Sequence, residues 1–268
     1  MTGDCNEKNR GCDLLVVSPH RDDAAFSVGL TIRRWLACGW PVKIINCYTI
    51  SEYAPHRSEL NRAAVSDLRR AEDLAFAQHL GDGIEFVDLN LLDAPLRLCC
   101  PVDEVCNRAL APDRVRVEIE LLGDHLRRIV NRGVLLIPLS VGNHVDHIIA
   151  RQTCIRLADL CSLAFYEDLP YSALAGPEGV AEARLATETL LGRSLQSIVI
   201  ASGDASVKKM EVVKLYPSQV TESEVEQIKG YTAYTGGERI WLDETSSHSF
   251  QTALGSRAGN DADKRIGN

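Results

Sequence analysis

Short runs of β-branched and other apolar residues alternate along the chain with longer stretches in which apolar positions recur every three to four residues. A continuous apolar run bounded by polar residues reads as a strand buried on both faces, whereas the 3.6-residue period reads as helix. The pattern predicts strands over 14–17, 42–48, 84–87, 134–138, 163–166, 197–201 and 239–242. Helices are predicted over 24–37, 59–80, 115–130, 145–160, 180–191, 205–215 and 222–233. Gly39 and Gly81 supply stop signals after the first two helices, and Pro138 marks the exit of the fourth strand. Such alternation builds βαβ units, so the expected fold class is α/β: a Rossmann-like, mostly parallel sheet flanked by helices, in a single domain. Residues 13–242 form that domain. Residues 1–12 read as a polar extension, and residues 243–268, rich in Gly, Ser and Asp, as a polar, mobile tail. The long connections are 51–57 and 91–113, and loops of that length in an α/β domain are more often functional than decorative.

Composition narrows the function classes. Of 268 residues 45% are hydrophobic, which supports a sizeable core and excludes disorder for most of the length. Lys and Arg number 29 against 37 Asp and Glu, a net charge of −8 with no basic run, so no nucleic-acid partner is expected. No apolar run approaches the roughly 20 residues of a membrane-spanning helix, and the N-terminal MTGDCNEKNRGCD lacks the apolar stretch of a secretory signal. The expectation is a cytoplasmic protein with no membrane partner. Nine cysteines, an odd number with no C-x-x-C spacing, match neither a disulfide framework nor a zinc knuckle. Most are expected as small buried hydrophobes; Cys99, Cys100 and Cys106 form one local cluster without an assigned role.

Two segments carry chemistry. The first strand runs into Ser18-Pro19-His20-Arg21-Asp22-Asp23-Ala24, and the fourth into Gly142-Asn143-His144-Val145-Asp146-His147. Each alone has a bland reading: an Asp pair at a strand-to-helix turn is often a cap, and a His pair three apart is often surface. Together they project over the carboxyl edge of one sheet, where open α/β folds bind ligands. His20, Asp23 and His147 then make a two-His, one-carboxylate set with coordination positions to spare, the composition of a catalytic zinc site that also suits non-haem Fe2+. No G-x-G-x-x-G follows the first strand, and Ser18 lacks the G-x-S-x-G elbow, which weighs against dinucleotide and serine-hydrolase chemistry.

With PHRDDA and a later H-x-x-H in hand, the chain resembles the LmbE-like, or PIG-L, family of zinc-dependent N-deacetylases. The likeness extends to Arg69-Arg70-Ala71-Glu72 with Ala75 and Leu80-Gly81, to Asp93-Ala94-Pro95-Leu96, and to Tyr166-Glu167-Asp168-Leu169-Pro170-Tyr171. It continues in Lys214-Leu215-Tyr216-Pro217-Ser218-Gln219 and Gly237-Glu238-Arg239-Ile240-Trp241, so that it covers about 13–242 in the family's order. The resemblance implies His20, Asp23 and His147 as metal ligands, Zn2+ as the metal, Asp22 as general base, and His144 as the group that stabilises the tetrahedral state or protonates the leaving amine. It also implies that Arg69 and Asp93 hold sugar hydroxyls. Two positions depart from the usual motif. Arg21 stands where Pro is common, adding a charge near the site mouth, and Ala24 stands where Glu is common.

The expected activity is metal-dependent removal of an N-acetyl group from an N-acetylglucosaminyl-type small molecule, with an antibiotic intermediate (aminoglycoside or glycopeptide) as the leading substrate. A sugar-thiol substrate of mycothiol or bacillithiol type is the alternative within enzymes. A non-catalytic, metal-dependent sugar-binding module and a metal phosphoesterase rank below it; the last normally wants more bridging carboxylates than this sequence offers.

Overall fold

The computed structural model describes residues 13–57, 59–130, 132–201 and 204–255. The expected extension 1–12, with Cys5 and Cys12, and the far end of the expected tail lie outside them. Seven strands form one sheet among the described residues: β1 (Leu14–Ser18), β2 (Val42–Asn46), β3 (Ile84–Asp88), β4 (Val134–Pro138), β5 (Ser162–Tyr166), β6 (Gln196–Ile200) and β7 (Glu238–Leu242). The helices are α1 (Asp23–Ala37), α2 (Arg62–Leu80), α3 (Ala94–Leu98), α4 (Pro112–Leu126), α5 (Val145–Ile155), α6 (Tyr171–Leu191), α7 (Ala205–Val213), α8 (Glu222–Thr235) and α9 (Glu244–Gly255).

The strand order is β3-β2-β1-β4-β5-β7-β6. β1 to β5 are parallel, and β7 runs antiparallel between β5 and β6. This is the expected mostly parallel sheet, with its one reversed strand towards the β6 edge. Period-2 alternation explains why the central strands read as unbroken apolar runs. Leu14, Val16 and Leu136 point into a core layer that holds Trp35 of α1, Tyr216 and Phe250. Leu15, Val17 and Leu135 point into the opposite layer, against Leu122 of α4 and Ile149 of α5. Both faces are covered, so neither phase of the alternation is polar.

Each of the central strands hands its chain to a helix at its carboxyl end. β1 and β4 are hydrogen-bonded neighbours, with Leu14 opposite Val134 and Val16 opposite Leu136. The order reverses between them: β1 leads on to β2 on one side and β4 to β5 on the other. The segments after β1 and β4 therefore diverge and open a crevice, the usual ligand position in such sheets.

Helix α1 is kinked at Val28 (φ −133°, ψ 22°), which breaks its ladder and leaves N–H groups without helical partners. Glu238 of β7 takes them: its carboxylate accepts from the Leu30 N–H at 2.9 Å and the Thr31 N–H at 2.7 Å, and it pairs with the buried Lys209 ammonium.

Three local expectations change. The polar tail expected from 243 onward begins instead with helix α9, because Phe250 and Ala253 on one face are fully buried against the Trp35 layer. The connection 91–113 contains α3 and a 3-10 turn, Val102–Glu104. Helix α6 starts at Tyr171 rather than near 180, since Gly176 (φ 64°) interrupts it and hides the period of its first turn. Of the seven described cysteines, Cys38, Cys47 and Cys154 are buried, whereas Cys99 is exposed and Cys100, Cys106 and Cys161 are half-buried. The expectation of mostly buried thiols therefore holds for a minority, because Cys99, Cys100 and Cys106 sit in the long connection rather than under the sheet.

Candidate active site

The turn after β1 is shaped by local hydrogen bonds. The Asp23 carboxylate accepts from the backbone N–H of His20 at 2.6 Å, which folds the carboxylate back towards the imidazole. Asp22 occupies the N-cap position of α1 but makes no capping bond. Its carboxylate instead receives the Arg69 guanidinium at 2.5 Å, so the cap-only reading of the Asp pair does not describe it. At the other segment, His144 is the N-cap of α5: its Nδ1 accepts from the Asp146 N–H at 3.1 Å.

Three side-chain atoms converge where the two segments meet. His20 Nδ1, Asp23 Oδ2 and His147 Nε2 lie 3.4 Å from one another along all three edges. Ligands about 2.1 Å from a zinc ion in tetrahedral array are separated by about 3.4 Å, so the triangle has the dimensions of a metal face. The outward nitrogens support the same reading. His147 Nδ1 lies 2.6 Å from Asp168 Oδ1, and His20 Nε2 lies 3.1 Å from Asp146 Oδ2. A carboxylate only accepts, so each pairing places a proton on the outward nitrogen, and in the neutral ring the inward one is left with its lone pair for a metal. The donor set of two imidazoles and a carboxylate fits a divalent ion with open positions.

The charges around this triangle respond to it. Burial pulls the His20 imidazole down, but its hydrogen bonds with Asp146 and Asp23 and their negative charges outweigh burial and lift its pKa to about 10. Burial likewise opposes ionisation of Asp23, yet the neighbouring His147 and His20 hold its pKa at about 2. His144 goes the other way: burial, then the charge of His20, lower its pKa to about 3. It is therefore a neutral imidazole at physiological pH, with its single proton on Nε2 because Nδ1 is an acceptor.

A cavity of about 260 Å3 opens in front of the triangle. Its wall includes His20, Asp22, Asp23, Arg69, Asp93 and His144, so six of the seven residues singled out from sequence meet there. His147, fully buried, lies behind them as the third corner. Asp93 caps α3 by accepting from the Leu96 N–H at 3.3 Å, and the residue also borders the cavity. Larger hollows exist, one of about 560 Å3 around Gly133, Ser162 and His248, but that one sits at the opposite, amino ends of the strands and brings together no comparable acid, base and imidazole set.

The sequence reading missed several members of the site. Asp146 and Asp168 hold the two histidines from behind; both stood inside quoted motifs, and their role appears only when 126 and 21 residues of separation are closed. Gln219, Tyr53 and Tyr171 also line the cavity. Gln219 is placed by Glu72, whose carboxylate accepts from the Ser218 N–H at 2.9 Å and hydroxyl at 2.8 Å. Arg21 requires a correction. It is not a charge at the site mouth but a buried side chain, 2.5 Å from Asp73 and 2.7 Å from Asp88. Two acidic partners supplied by α2 and β3 draw it inward. Ala24 is fully buried in the core layer of α1. The three tryptophans serve packing: Trp35 lies against Phe250, Trp40 sets its indole N–H on the Ala253 carbonyl, and Trp241 sets its N–H on Glu167.

The family model described as PIG-L, GlcNAc-PI de-N-acetylase, matches residues 15–158, which contain both segments. The 2'-N-acetylparomamine deacetylase of Streptomyces fradiae is 31% identical over 251 residues, covering 90% of this chain and 85% of that protein. Among solved structures, a deacetylase–teicoplanin complex from the teicoplanin biosynthetic pathway superposes with a TM-score of 0.65 at 21% identity, over 86% of this chain and 97% of that one. A zinc-inhibited form of teicoplanin deacetylase gives 0.62 at 20% identity, over 85% and 97%. At such identities these two likenesses speak for the fold. No described helix is long and apolar enough to cross a membrane.

Proposed function

The chain belongs to the PIG-L family of GlcNAc-PI de-N-acetylases and is an N-deacetylase, and from that premise we propose that it hydrolyses the acetamide of an N-acetylglucosaminyl-type sugar in an antibiotic intermediate, an aminoglycoside foremost. The observation that carries the reading is the 3.4 Å triangle of His20, Asp23 and His147 beside Asp22 and His144 at the floor of one cavity. The paromamine deacetylase, similar over nearly the whole chain, favours the aminoglycoside class over glycopeptides and over sugar-thiols. We place the reaction in the cytoplasm, whose reducing poise suits unbridged thiols.

His20, Asp23 and His147 hold a divalent ion in this proposal, with Zn2+ as the physiological metal and Fe2+ as the competitor. Bound there, it supplies Lewis acidity that brings the pKa of a coordinated water to about 7. Asp22 is the general base: its carboxylate borders the cavity without belonging to the triangle, and Arg69 holds one of its oxygens. The other oxygen is left to take a proton from the attacking water and to return it to the departing amine. His144, neutral and carrying its proton on Nε2, donates a hydrogen bond to the acetyl oxygen as negative charge develops on it. That role needs no imidazolium, and a group with so low a pKa makes a poor proton donor to an amine. Asp93 and the remaining N–H groups of Arg69 meet the sugar hydroxyls.

The test is acetate release from a side-by-side panel: an N-acetylated paromamine-type pseudosaccharide, an N-acylated glycopeptide, and an N-acetylglucosaminyl inositol. Metal-stripped protein is assayed before and after zinc is restored. Zinc-restored release that is fastest on the first compound supports the proposal. Binding of all three without release returns the non-catalytic sugar-binding reading.

A further inference from the structure

The long connection between β3 and α4 does more than wall the cavity. Its short helix α3 sends Arg97 backwards, away from the open space and into the layer behind the metal triangle. There the guanidinium donates through Nη2 to Asp146 Oδ1 at 2.6 Å, and Asp146 Oδ2 meets His20 Nε2 at 3.1 Å. The same segment supplies the backbone N–H of Ala94 to Asp146 Oδ2 at 2.9 Å. Asp146 has no exposed surface, so these contacts, with the imidazole, account for its whole carboxylate.

Arg97 is itself over-determined. Its Nη1 donates to the Leu92 carbonyl at 2.8 Å, its Nε lies 2.8 Å from Glu118 Oε2, and its Cζ sits 4.6 Å above the centroid of the buried Tyr48 ring. Glu118 is held in turn by Arg114 at 2.7 Å. A planar fork stacked on a ring, hydrogen-bonded to a backbone carbonyl and to Asp146 and flanked by the Glu118 charge has little room to swivel, and this restraint passes to the carboxylate it holds.

We propose that Arg97 is a positioning residue of the catalytic centre: by clamping Asp146 it fixes the ring plane and tautomer of His20, and so ties the folding of the 91–113 connection to the metal-binding face. The inference rests on the reading of His20 as a ligand given above. Without the fork, Asp146 Oδ1 loses the Arg97 donor, and the Ala94 N–H alone remains to hold Oδ2 against the imidazole. Outer partners of metal ligands typically contribute about 10- to 100-fold to metal affinity. The loop that borders the substrate cavity on one side thus sets the ligand geometry on the other.

The test compares wild type with Arg97→Met, which keeps the bulk of the stem, and Arg97→Lys, which keeps the charge but not the fork. Zinc affinity is read by competition with a chromophoric chelator, and ligand geometry by the visible spectrum of the cobalt-substituted protein. Arg97→Met is expected to bind zinc about 10- to 100-fold more weakly and to shift the cobalt bands, with substrate KM unchanged at saturating metal; Arg97→Lys recovers part of the affinity. A folded Arg97→Met protein with wild-type affinity and spectrum overturns the proposal. So does a loss no larger than that of Leu126→Ala, a core variant remote from the site, compared at matched melting temperature. His20→Ala distinguishes the premise: wild-type zinc affinity in that variant refutes the ligand assignment itself, whatever Arg97 does.

Discussion

Asp168 offers a sharp test of the site because both of its oxygens are committed. Oδ1 faces His147 Nδ1 at 2.6 Å, and Oδ2 accepts from the Val141 N–H at 2.9 Å, with no solvent exposure at either residue. Asp168→Asn preserves shape and replaces one acceptor with a donor. If the amide oxygen stays towards His147, the NH2 group confronts the Val141 N–H. If the amide flips, it confronts Nδ1–H, and the ring can escape only by moving its proton to Nε2, the atom at the metal triangle. Either orientation leaves one buried donor unpaired, at a cost of about 1–3 kcal/mol. The first orientation lowers stability by that amount, roughly 2–4 °C in melting temperature per kcal/mol for a domain of this size. The second moves the loss to the metal, about 10- to 100-fold in affinity, and tenfold corresponds to about 1.4 kcal/mol. Differential scanning calorimetry of the metal-free protein and chelator competition on the same samples separate the two. Asp168→Asn within twofold of wild type in zinc affinity, and unchanged in melting temperature, would refute the reasoning.

Asp22→Asn is expected to keep zinc affinity and to lose about 10²- to 10⁴-fold in kcat, since Asp22 stands off the triangle; loss of zinc binding instead would place it among the ligands. His144→Ala is expected to lower kcat by about 10²- to 10³-fold, with no His144 titration in the wild-type pH–rate profile between pH 5 and 8, because its pKa lies near 3. A protein-wide pH effect follows from His20. In the metal-free protein its pKa of about 10 exceeds the unfolded value, so its contribution to stability is complete below about pH 6.5 and is lost as pH rises towards 10. Zinc needs the same nitrogen deprotonated, so the zinc-induced rise in melting temperature should grow from pH 6 to pH 9; a rise that shrinks over that interval contradicts the assignment.

Much of this architecture is visible in the sequence for a physical reason. Strands buried on both faces are apolar at nearly every position, so LLVV and VLLIP announce themselves, and chemistry collects where such strands end. His20 and the His144–His147 pair follow β1 and β4, and the neighbouring of those two strands was all that remained to be supplied. What escaped reading is long-range and electrostatic. The Arg97–Asp146 pair spans 49 residues and Arg21–Asp73 spans 52, and no local period encodes either. Arg21 looked like surface because an isolated arginine usually is; two buried carboxylates waiting for it are a property of the assembled fold. Helix α9 was hidden by its polar composition, as only Phe250 and Ala253 of its central turns need the core.

The bond between β7 and the kink in α1 carries a consequence for how the gene can be divided. Residues 15–158 include every proposed ligand, the base and the oxyanion donor. Yet the helix that carries Asp23 is anchored in mid-course by Glu238, and the imidazole of His147 by Asp168; the Tyr166 hydroxyl reaches back to the Val17 carbonyl at 2.9 Å, one strand under the metal turn. A chain cut at 158 would keep the reagents and lose their alignment. The first half of this domain is not a self-sufficient cassette, and a change of substrate range that keeps these anchors falls on the 51–57 and 91–113 connections, with Tyr171 and Gln219 as the share of the cavity wall that the C-terminal part supplies.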